Sequence, residues 1–212
     1  MIWLTEKIVF PHYRFATSEG VLALGGDLSE ERLIFAYKNG IFPWFSEGEP
    51  LVWYCPAERM VLFPKEIKIS KSMRKIIKKN EFVITENKAF AQVIYNCKNI
   101  DRNDGFGTWI TNDMEQAYIN LHKKGIAKSI EVWKNNELVG GLYGLEINKI
   151  FCGESMFSKV SNTSKFAFIH LAKNKKYKLI DCQIYNKHLA SLGAKEIDRE
   201  LFLGILKNQT ET

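Results

Sequence analysis

Apolar and polar residues alternate along the second half of the chain, beginning at residue 129. The alternation runs through SIEVWK, ELVGGLYGLE and KIFCGESMFS, with a two-residue turn at Asn135 and Asn136 and a second tight turn near Asn148. A period of two, interrupted by short Asn-containing turns, predicts an antiparallel meander of three strands.

Helical periodicity alternates with buried runs after the meander. The segments TSKFAFIHLAK and KHLASLG have the spacing of helices, whereas KLIDCQI and AKEI are typical of strands. This order predicts an α/β domain in which helices alternate with the last strands of the chain. A parallel strand pair there can splay apart to admit a substrate.

The first third of the chain is divided into short elements by Gly and Pro. The helical pattern ERLIFAYKN has Ser29 as its N-cap and ends at Gly40. The aromatic, proline-stiffened segment IFPWFSEGEPLVWYCP is either core lining or a preorganised wall for a flat ligand. We predict a small N-terminal lobe over residues 1–62 and a larger α/β domain over residues 63–212.

Three more elements are predicted between the lobe and the meander. FVITE is a candidate strand, and ENKAFAQVIYNCK has the apolar stripe of an amphipathic helix. After GFGTWIT, Asn112 and Glu115 form a candidate capping pair for a helix in DMEQAYINLHKKG.

The net charge of +6 is concentrated in one segment, KEIKISKSMRKIIKK, at residues 65–79. Seven basic residues and one glutamate give this segment a charge of +6, and the other 23 basic and 23 acidic residues cancel. A helix from about Ser70 would expose the basic side chains and turn the apolar ones inward. Such a stripe favours a polyanion such as nucleic acid, with a solvated helix face as the alternative. The candidate nucleic-acid-binding residues are Lys68, Lys71, Arg74, Lys75, Lys78 and Lys79.

Cysteine and histidine spacing gives no indication of a metal site. The four cysteines form no CxxC pair and the four histidines have no HExxH-like spacing, so we expect reduced cysteines and no bound metal. The chain also has no apolar run of 18 residues and no signal-peptide pattern at its N-terminus, which predicts a cytoplasmic protein.

Polar residues interrupt two of the predicted buried strands. Glu154 lies in the centre of FCGESMF, and Asp181 and Gln183 share one face of KLIDCQI while its apolar residues face the other way. Because the two strands flank one helix, the three polar residues can meet at one edge of the sheet, where α/β proteins hold ligands. A solvent-facing Glu154, or a satisfied buried hydrogen-bond network, is the alternative.

Eight ordered blocks between residues 22 and 194 carry a resemblance to a known family. They are LALGGDLS, GIFPWFS, GTWIT, SIEVW, ELVGGLYG, FCGESMFS, LIDCQ and ASLGA. In content and order they resemble the leucyl/phenylalanyl-tRNA-protein transferase family. The resemblance implies an acetyltransferase-like (GNAT-type) catalytic domain preceded by a small lobe.

The resemblance also implies the reaction and its partners. Such an enzyme moves Leu or Phe, and by extension Met, from aminoacyl-tRNA to the N-terminal Arg or Lys of an acceptor protein, which marks that protein for degradation. The expected partners are leucyl-tRNA, phenylalanyl-tRNA and the acceptor proteins, with no membrane, no cofactor and a monomeric state.

Ten residues receive roles from the resemblance. Asp181, Gln183 and Glu154 are the expected catalytic residues: Gln183 would orient the attacking amine, Asp181 would fix or polarise the amide behind it, and Glu154 would hold a substrate cation. The expected substrate-binding residues are Trp44, Trp109, Leu142, Phe151, Met156, Phe168 and Asn186.

The sequence departs from the family pattern at a few positions. Leu142 stands where Met is usual, a near-isosteric change that would tune side-chain preference. Tyr54 and Cys55 replace a common WS pair. The connector KNKKYK and the tail after LFLGIL are short, which puts family contacts made there in doubt.

The sequence leaves two alternative functions. An acetyl-CoA-dependent N-acetyltransferase would need a glycine-rich phosphate loop before the helix that follows Glu154, and that junction reads SKVSNTSK. A non-catalytic RNA-binding protein would not need a polar pair on a buried strand.

Overall fold

The structure, a computed structural model, describes residues 2–100 and 109–208 of the chain. Helices and strands are interleaved along this part of the chain, which confirms the predicted mixed α/β class. Its β-strands are β1 (Trp3–Leu4), β2 (Val21–Gly25), β3 (Phe42–Pro43), β4 (Val52–Tyr54), β5 (Glu58–Leu62), β6 (Val83–Glu86), β7 (Ala127–Lys134), β8 (Glu137–Ile147), β9 (Ile150–Ser158), β10 (Leu179–Gln183) and β11 (Lys195–Asp198). Its α-helices are α1 (Glu30–Lys38), α2 (Lys71–Lys79), α3 (Phe90–Asn99), α4 (Asn112–Lys123), α5 (Thr163–Lys173), α6 (Lys187–Ser191) and α7 (Arg199–Lys207).

A seven-stranded sheet with the order β11-β5-β10-β9-β8-β7-β6 forms the centre of the fold. Strands β7, β8 and β9 pair antiparallel, which confirms the predicted meander. Asn135 and Asn136 turn the chain between β7 and β8 with φ of 51° and 64°, the left-handed conformation that a tight hairpin turn requires. Strand β10 pairs parallel to β9, so α5 connects the predicted parallel pair.

The N-terminal segment forms a second, four-stranded sheet with the order β1-β2-β4-β3. Helix α1 has the predicted ends. The Ser29 hydroxyl accepts a hydrogen bond from the backbone N–H of Arg32 at its start. Gly40, just beyond its last turn, has φ of 71° and donates its N–H to the Tyr37 carbonyl, as expected for a glycine that ends a helix.

Strand β5 belongs to the large sheet, where it lies between β10 and β11. If the N-terminal lobe contains only the strands of the smaller sheet, it ends before Glu58. This limit lies inside the range of residues 1–62 that was predicted for the lobe. The division between residues 62 and 63 stays a prediction.

Helices cover both faces of the large sheet and form two core clusters. Helices α3 and α4 contribute to one cluster, and α5 with Met73 of α2 contributes to the other. The predicted inward stripe of α3 is buried as expected. The predicted cap of α4 is wrong by one residue: the Thr111 hydroxyl accepts from the N–H of Met114, and Asn112 is already helical. Both residue types make good N-caps, so the local sequence did not distinguish them.

Helix α2 has the predicted two-sided character. The Ser70 hydroxyl caps its N-terminus and Met73 is buried, whereas the basic residues of this helix are exposed. All four cysteines of the chain are free, as predicted. Among the described residues, no helix has the length and apolar character needed to cross a membrane.

Candidate active site

A cavity of about 920 Å³ opens where β9 and β10 part. Their parallel pairing joins Leu179–Asp181 to Ile150–Cys152, after which β9 continues to Ser158 and β10 ends at Gln183. This is the position at which a splayed strand pair was predicted to admit a substrate. The seven predicted substrate-binding residues all line the cavity, together with Glu154, Asp181 and Gln183.

A β-bulge at the end of β10 sets the direction of the Gln183 side chain. Asp181 pairs with Val61 of β5 and Gln183 with Met60, so Cys182 is the extra residue. Gln183 has φ of 66°, a conformation that costs free energy for any residue other than glycine and is held only by its surroundings. Asp181 supplies part of that support, because its Oδ1 accepts the backbone N–H of Gln183 at 2.9 Å.

Glu154 is the meeting point of three hydrogen-bond donors. The Tyr37 hydroxyl donates to Oε1 at 2.7 Å and the Tyr118 hydroxyl to Oε2 at 3.0 Å. The side-chain amide nitrogen of Gln183 donates to Oε1 at 2.9 Å. The two phenol oxygens also lie 2.5 Å apart, within hydrogen-bonding distance. The predicted meeting of Glu154 and Gln183 therefore takes place, and two tyrosines join it.

The pKa of Glu154 is raised to about 8. Burial is the largest cause, since a carboxylate loses its hydration there, and the hydrogen bonds from Tyr37, Tyr118 and Gln183 counteract it. Burial also raises the pKa of both phenols well above the usual value, so they remain donors. Glu154 can thus exchange a proton near neutral pH, and an approaching cation would increase the fraction of Glu154 that is ionised.

Asp181 is fully buried against Arg59. The Arg59 guanidinium donates from Nε to Oδ1 at 2.8 Å and from Nη2 to Oδ2 at 2.7 Å, the two-point geometry of a strong pair. Asp181 was expected to fix or polarise the amide of Gln183. Its contact is with the main-chain amide, and the side-chain amide points to Glu154.

The walls of the cavity come from both core clusters. Leu142, Phe151 and Phe168 are buried on the side of α5, and Met156 packs against the same cluster. Trp44 and Tyr54 face the cavity from the N-terminal lobe, with ring centroids 5.7 Å apart.

Phe42 and Trp53 of the same aromatic segment are buried in the core. The segment therefore contributes both to the core and to the cavity wall, and its role as a wall for a flat ligand stays a prediction. Trp109 also lines the cavity, whereas Gly107 and Thr108 of the GTWIT block lie outside the described residues.

The segment that precedes the basic helix α2 is hydrogen-bonded to the residue that follows α6, a helix in the cavity wall. The backbone N–H of Lys68 donates to the Leu192 carbonyl at 2.8 Å, just after α6. Helix α6 follows Asn186, whose side chain caps it, and supplies His188 and Leu189 to the cavity wall. A polyanion bound to α2 would therefore lie close to α6 and to the cavity wall that α6 forms.

Sequence reasoning missed Tyr37, Tyr118 and Arg59. The tyrosines lie in amphipathic helices and are typical core residues by pattern, so no local signal marks them. Arg59 follows the exposed Glu58 at the start of the strand ERMVL and is itself buried. A charge next to another charge at a strand end is typical of a solvated position, so the local pattern does not show that Arg59 is buried.

Two family models match the chain. The one described as Leucyl/phenylalanyl-tRNA protein transferase matches residues 61–207, and the one described as the N-terminal domain of that transferase matches residues 26–57. The leucyl/phenylalanyl-tRNA–protein transferase of Flavobacterium johnsoniae is 59% identical over 99% of this chain and 100% of its own length. The protein of the same name from Flavobacterium psychrophilum is 56% identical over 98% of this chain and 100% of its own length.

Similar solved structures include a GCN5-related N-acetyltransferase from Kribbella flavida. It has a TM-score of 0.39 and 6% identity, and the match covers 76% of this chain and 58% of that one.

These matches place the protein among the transferase enzymes, and its mixed α/β fold has an apolar cavity next to the partly buried carboxylate of Glu154. The chain belongs to the leucyl/phenylalanyl-tRNA protein transferase family, which confirms the resemblance found in its sequence. The matches give no support to either alternative, a CoA-dependent acetyltransferase or a non-catalytic RNA-binding protein.

Proposed function

We propose that this chain transfers Leu, Phe and Met from aminoacyl-tRNA to the N-terminal Arg or Lys of acceptor proteins, and so generates a degradation signal on them. The observation that carries the proposal is the composition of the cavity. Apolar side chains such as Phe151 and Met156 surround a space next to Glu154 and Gln183, which suits an apolar amino acid beside a group that needs a charge partner.

The reaction is aminolysis of an ester. The neutral α-amino nitrogen of the acceptor attacks the carbonyl carbon that joins the amino acid to the terminal adenosine. A peptide bond forms, the ester C–O bond breaks, and the proton from nitrogen ends on the released hydroxyl of the tRNA. An α-amino group titrates near 7.7–8.0, so a useful fraction is neutral at physiological pH and orientation provides much of the rate enhancement.

Gln183 is proposed to orient the attacking amine. Its side-chain nitrogen donates to Glu154 at 2.9 Å, so its side-chain oxygen is the atom that would accept a hydrogen bond from the amine. A fixed acceptor of this kind directs the nitrogen lone pair towards the carbonyl carbon.

Glu154 is proposed to hold a substrate cation, either the α-ammonium of the transferred amino acid or the charged side chain of the acceptor. A cation within hydrogen-bonding distance would lower the pKa of Glu154 from about 8 and convert the site into an ion pair.

The apolar wall is proposed to select the amino acid. Leu142, Phe168 and Met156 offer contacts to an apolar or aromatic side chain that has no branch at Cβ, and Met adapts to guests of different shape. Lost apolar contact discriminates by only about 1–3 kcal/mol per methylene, so Ile and Val would be poor substrates without being fully excluded.

The exposed basic residues of α2 are proposed to bind tRNA phosphates, for which the helix has the charge and the position near α6. Because aminoacyl-tRNA is used where translation takes place, this function implies a cytoplasmic enzyme. A monomer suffices for the proposed chemistry, since the described residues of one chain supply Glu154, Gln183 and the apolar wall.

The test is transfer of radiolabelled leucine from leucyl-tRNA to a peptide that begins with Arg. We expect labelled peptide with an N-terminal Arg or Lys, and none with an N-terminal Glu or an acetylated Arg. Labelled acetyl-CoA serves as the control donor. Transfer from acetyl-CoA, or no transfer from leucyl-tRNA by folded protein, would contradict the proposal.

A further inference from the structure

Arg59 is a buried cation in strand β5 with only 2% of its surface exposed. Its guanidinium lies between two rings, 4.6 Å from the centroid of Phe42 and 4.7 Å from that of Phe202. Both oxygens of Asp181 accept hydrogen bonds from it. Both partners are thereby removed from water.

Arg59 is connected to Gln183 and Glu154 first through its contact with β10. Its partner Asp181 accepts the N–H of Gln183 with the same Oδ1 that accepts Nε of Arg59. That hydrogen bond holds Gln183 at φ of 66° and so directs its side-chain amide to Glu154. A shift of the Asp181 carboxylate would release the bulge, because a left-handed glutamine is not stable by itself.

Arg59 is connected to Glu154 a second time through Gly40 and helix α1 of the N-terminal lobe. Its Nη1 donates to the Gly40 carbonyl at 3.1 Å. Gly40 is held tightly from the other side too, because a Cβ there would lie 2.6 Å from a methyl carbon of Leu203. Gly40 ends α1, and Tyr37 in the last turn of that helix donates to Glu154. One guanidinium thus joins the two elements that deliver donors to Oε1 of Glu154.

We propose that Arg59 is a positioning residue for the transfer reaction, and that Asp181 acts as its anchor and as the support of the bulge rather than on the attacking amine. The inference rests on the proposed function of Gln183 and Glu154. A role in stability alone does not account for the arrangement, since a buried ion pair is often replaced by apolar residues without loss of stability. An apolar pair, however, could not accept the N–H of Gln183.

Two single variants and their combination test the proposal. Arg59→Gln leaves the Asp181 carboxylate buried without its cation, and Asp181→Asn sets an amide nitrogen against the guanidinium. The double variant restores a neutral pair, because the nitrogen of the introduced glutamine can occupy the place of Nε and donate to the asparagine oxygen that still accepts from Gln183.

We expect both single variants to lower kcat by about 100-fold or more, the loss that follows a misplacement of about 1 Å. KM for aminoacyl-tRNA should change by no more than about threefold. The double variant should recover to within about tenfold of the unmutated enzyme, as coupled residues do in a double-mutant cycle. Arg32→Gln is the matched control, because Arg32 is as buried as Arg59 and also pairs with an aspartate, the half-exposed Asp27. Within the described residues, its hydrogen bonds go to Asp27 and to the carbonyls of Thr5, Glu6 and Lys7, and none goes to β10. The control variant should keep kcat in the folded protein.

A second measurement does not require catalysis. In NMR spectra, the side-chain amide signal of Gln183 should follow the titration of Glu154 near pH 8 in the unmutated protein and the Arg32→Gln control. The response should disappear in the single variants and return in the double variant.

A double variant as slow as Asp181→Asn would show that the Asp181 charge takes part in the chemistry, which would overturn the proposal. Unchanged kcat in the single variants would overturn it as well. If Arg59→Gln does not fold, the comparison of Asp181→Asn with the double variant decides. If the unmutated protein transfers no leucine, the proposed function fails, whereas the NMR series still decides whether Arg59 positions Gln183.

Discussion

Replacing Glu154 by Gln should abolish transfer and at the same time make the protein more stable at alkaline pH. The pKa of Glu154 is about 8 in the folded protein and near 4.5 in the unfolded chain. Below about pH 4.5 both states bind the proton, so Glu154 adds no pH dependence there. Between about pH 4.5 and 8 the unfolded state loses its proton first, so the free energy of unfolding falls as the pH rises.

The size of the effect follows from the shift. A difference of about 3.5 pKa units corresponds to about 5 kcal/mol above pH 8, since each unit is about 1.4 kcal/mol. The neutral side chain introduced by Glu154→Gln would carry no such penalty. Its oxygen could accept from Tyr37 and Gln183, its nitrogen could donate to the Tyr118 hydroxyl, and that hydroxyl could then donate to Tyr37, whose oxygen is 2.5 Å away.

Urea unfolding of both proteins, measured between about pH 5 and pH 9, gives the result as a difference in which all other titrations cancel. We expect the two free energies to diverge with rising pH, by up to about 1.4 kcal/mol per unit, in favour of Glu154→Gln. Curves that stay parallel would refute a raised pKa. Glu131→Gln is the matched control for activity, because Glu131 is a buried glutamate of the same sheet. Its carboxylate accepts hydrogen bonds from Thr85, Ser129 and the backbone N–H groups of Lys88 and Ala89. The control variant should retain transfer.

Three further variants test the proposed substrate sites. Gln183→Ala should lower turnover far more than it lowers tRNA affinity, because its contact matters as the amine attacks; equal losses would remove it from the chemistry. Met156→Ala should enlarge the apolar cavity and shift preference towards bulkier residues such as Trp, measured with misacylated tRNAs, and an unchanged ranking would make Met156 ordinary core. Replacing Arg74, Lys75 and Lys78 together by Ala should flatten the slope of log affinity against log salt by about 2–3 while aminoacyl-adenosine is used almost normally. An unchanged slope would leave α2 as a solvated face.

Much of the fold could be predicted because its signals are local. The meander from β7 to β9 rests on alternation and on turn residues that tolerate positive φ. The amphipathic stripes of α2 and α3 likewise depend on neighbours along the same helix. Where two local choices were equally good, as at Thr111 and Asn112, the sequence could not decide, and the cap moved by one residue.

The candidate site could be predicted only in part, because its polar network joins distant segments. Glu154 and Gln183 were found because a polar residue in a buried strand needs a partner, and the nearest strand offered one. Tyr37 lies 117 residues from Glu154, and Tyr118 lies 36 residues from it on a different helix. Nothing local distinguishes such a tyrosine from one that only fills the core.

The network also explains why the N-terminal lobe and the α/β domain form one site. Tyr37 comes from the lobe, Tyr118 from α4 and Gln183 from β10, and all three donate to the carboxylate of Glu154. Burial raises the free energy of the ionised form, and the donors lower it. The balance leaves the carboxylate able to ionise near neutral pH when a cation enters. A movement of the lobe that withdrew Tyr37 would shift that balance towards the protonated, non-binding form, so the position of α1 affects the charge of the site as well as its shape.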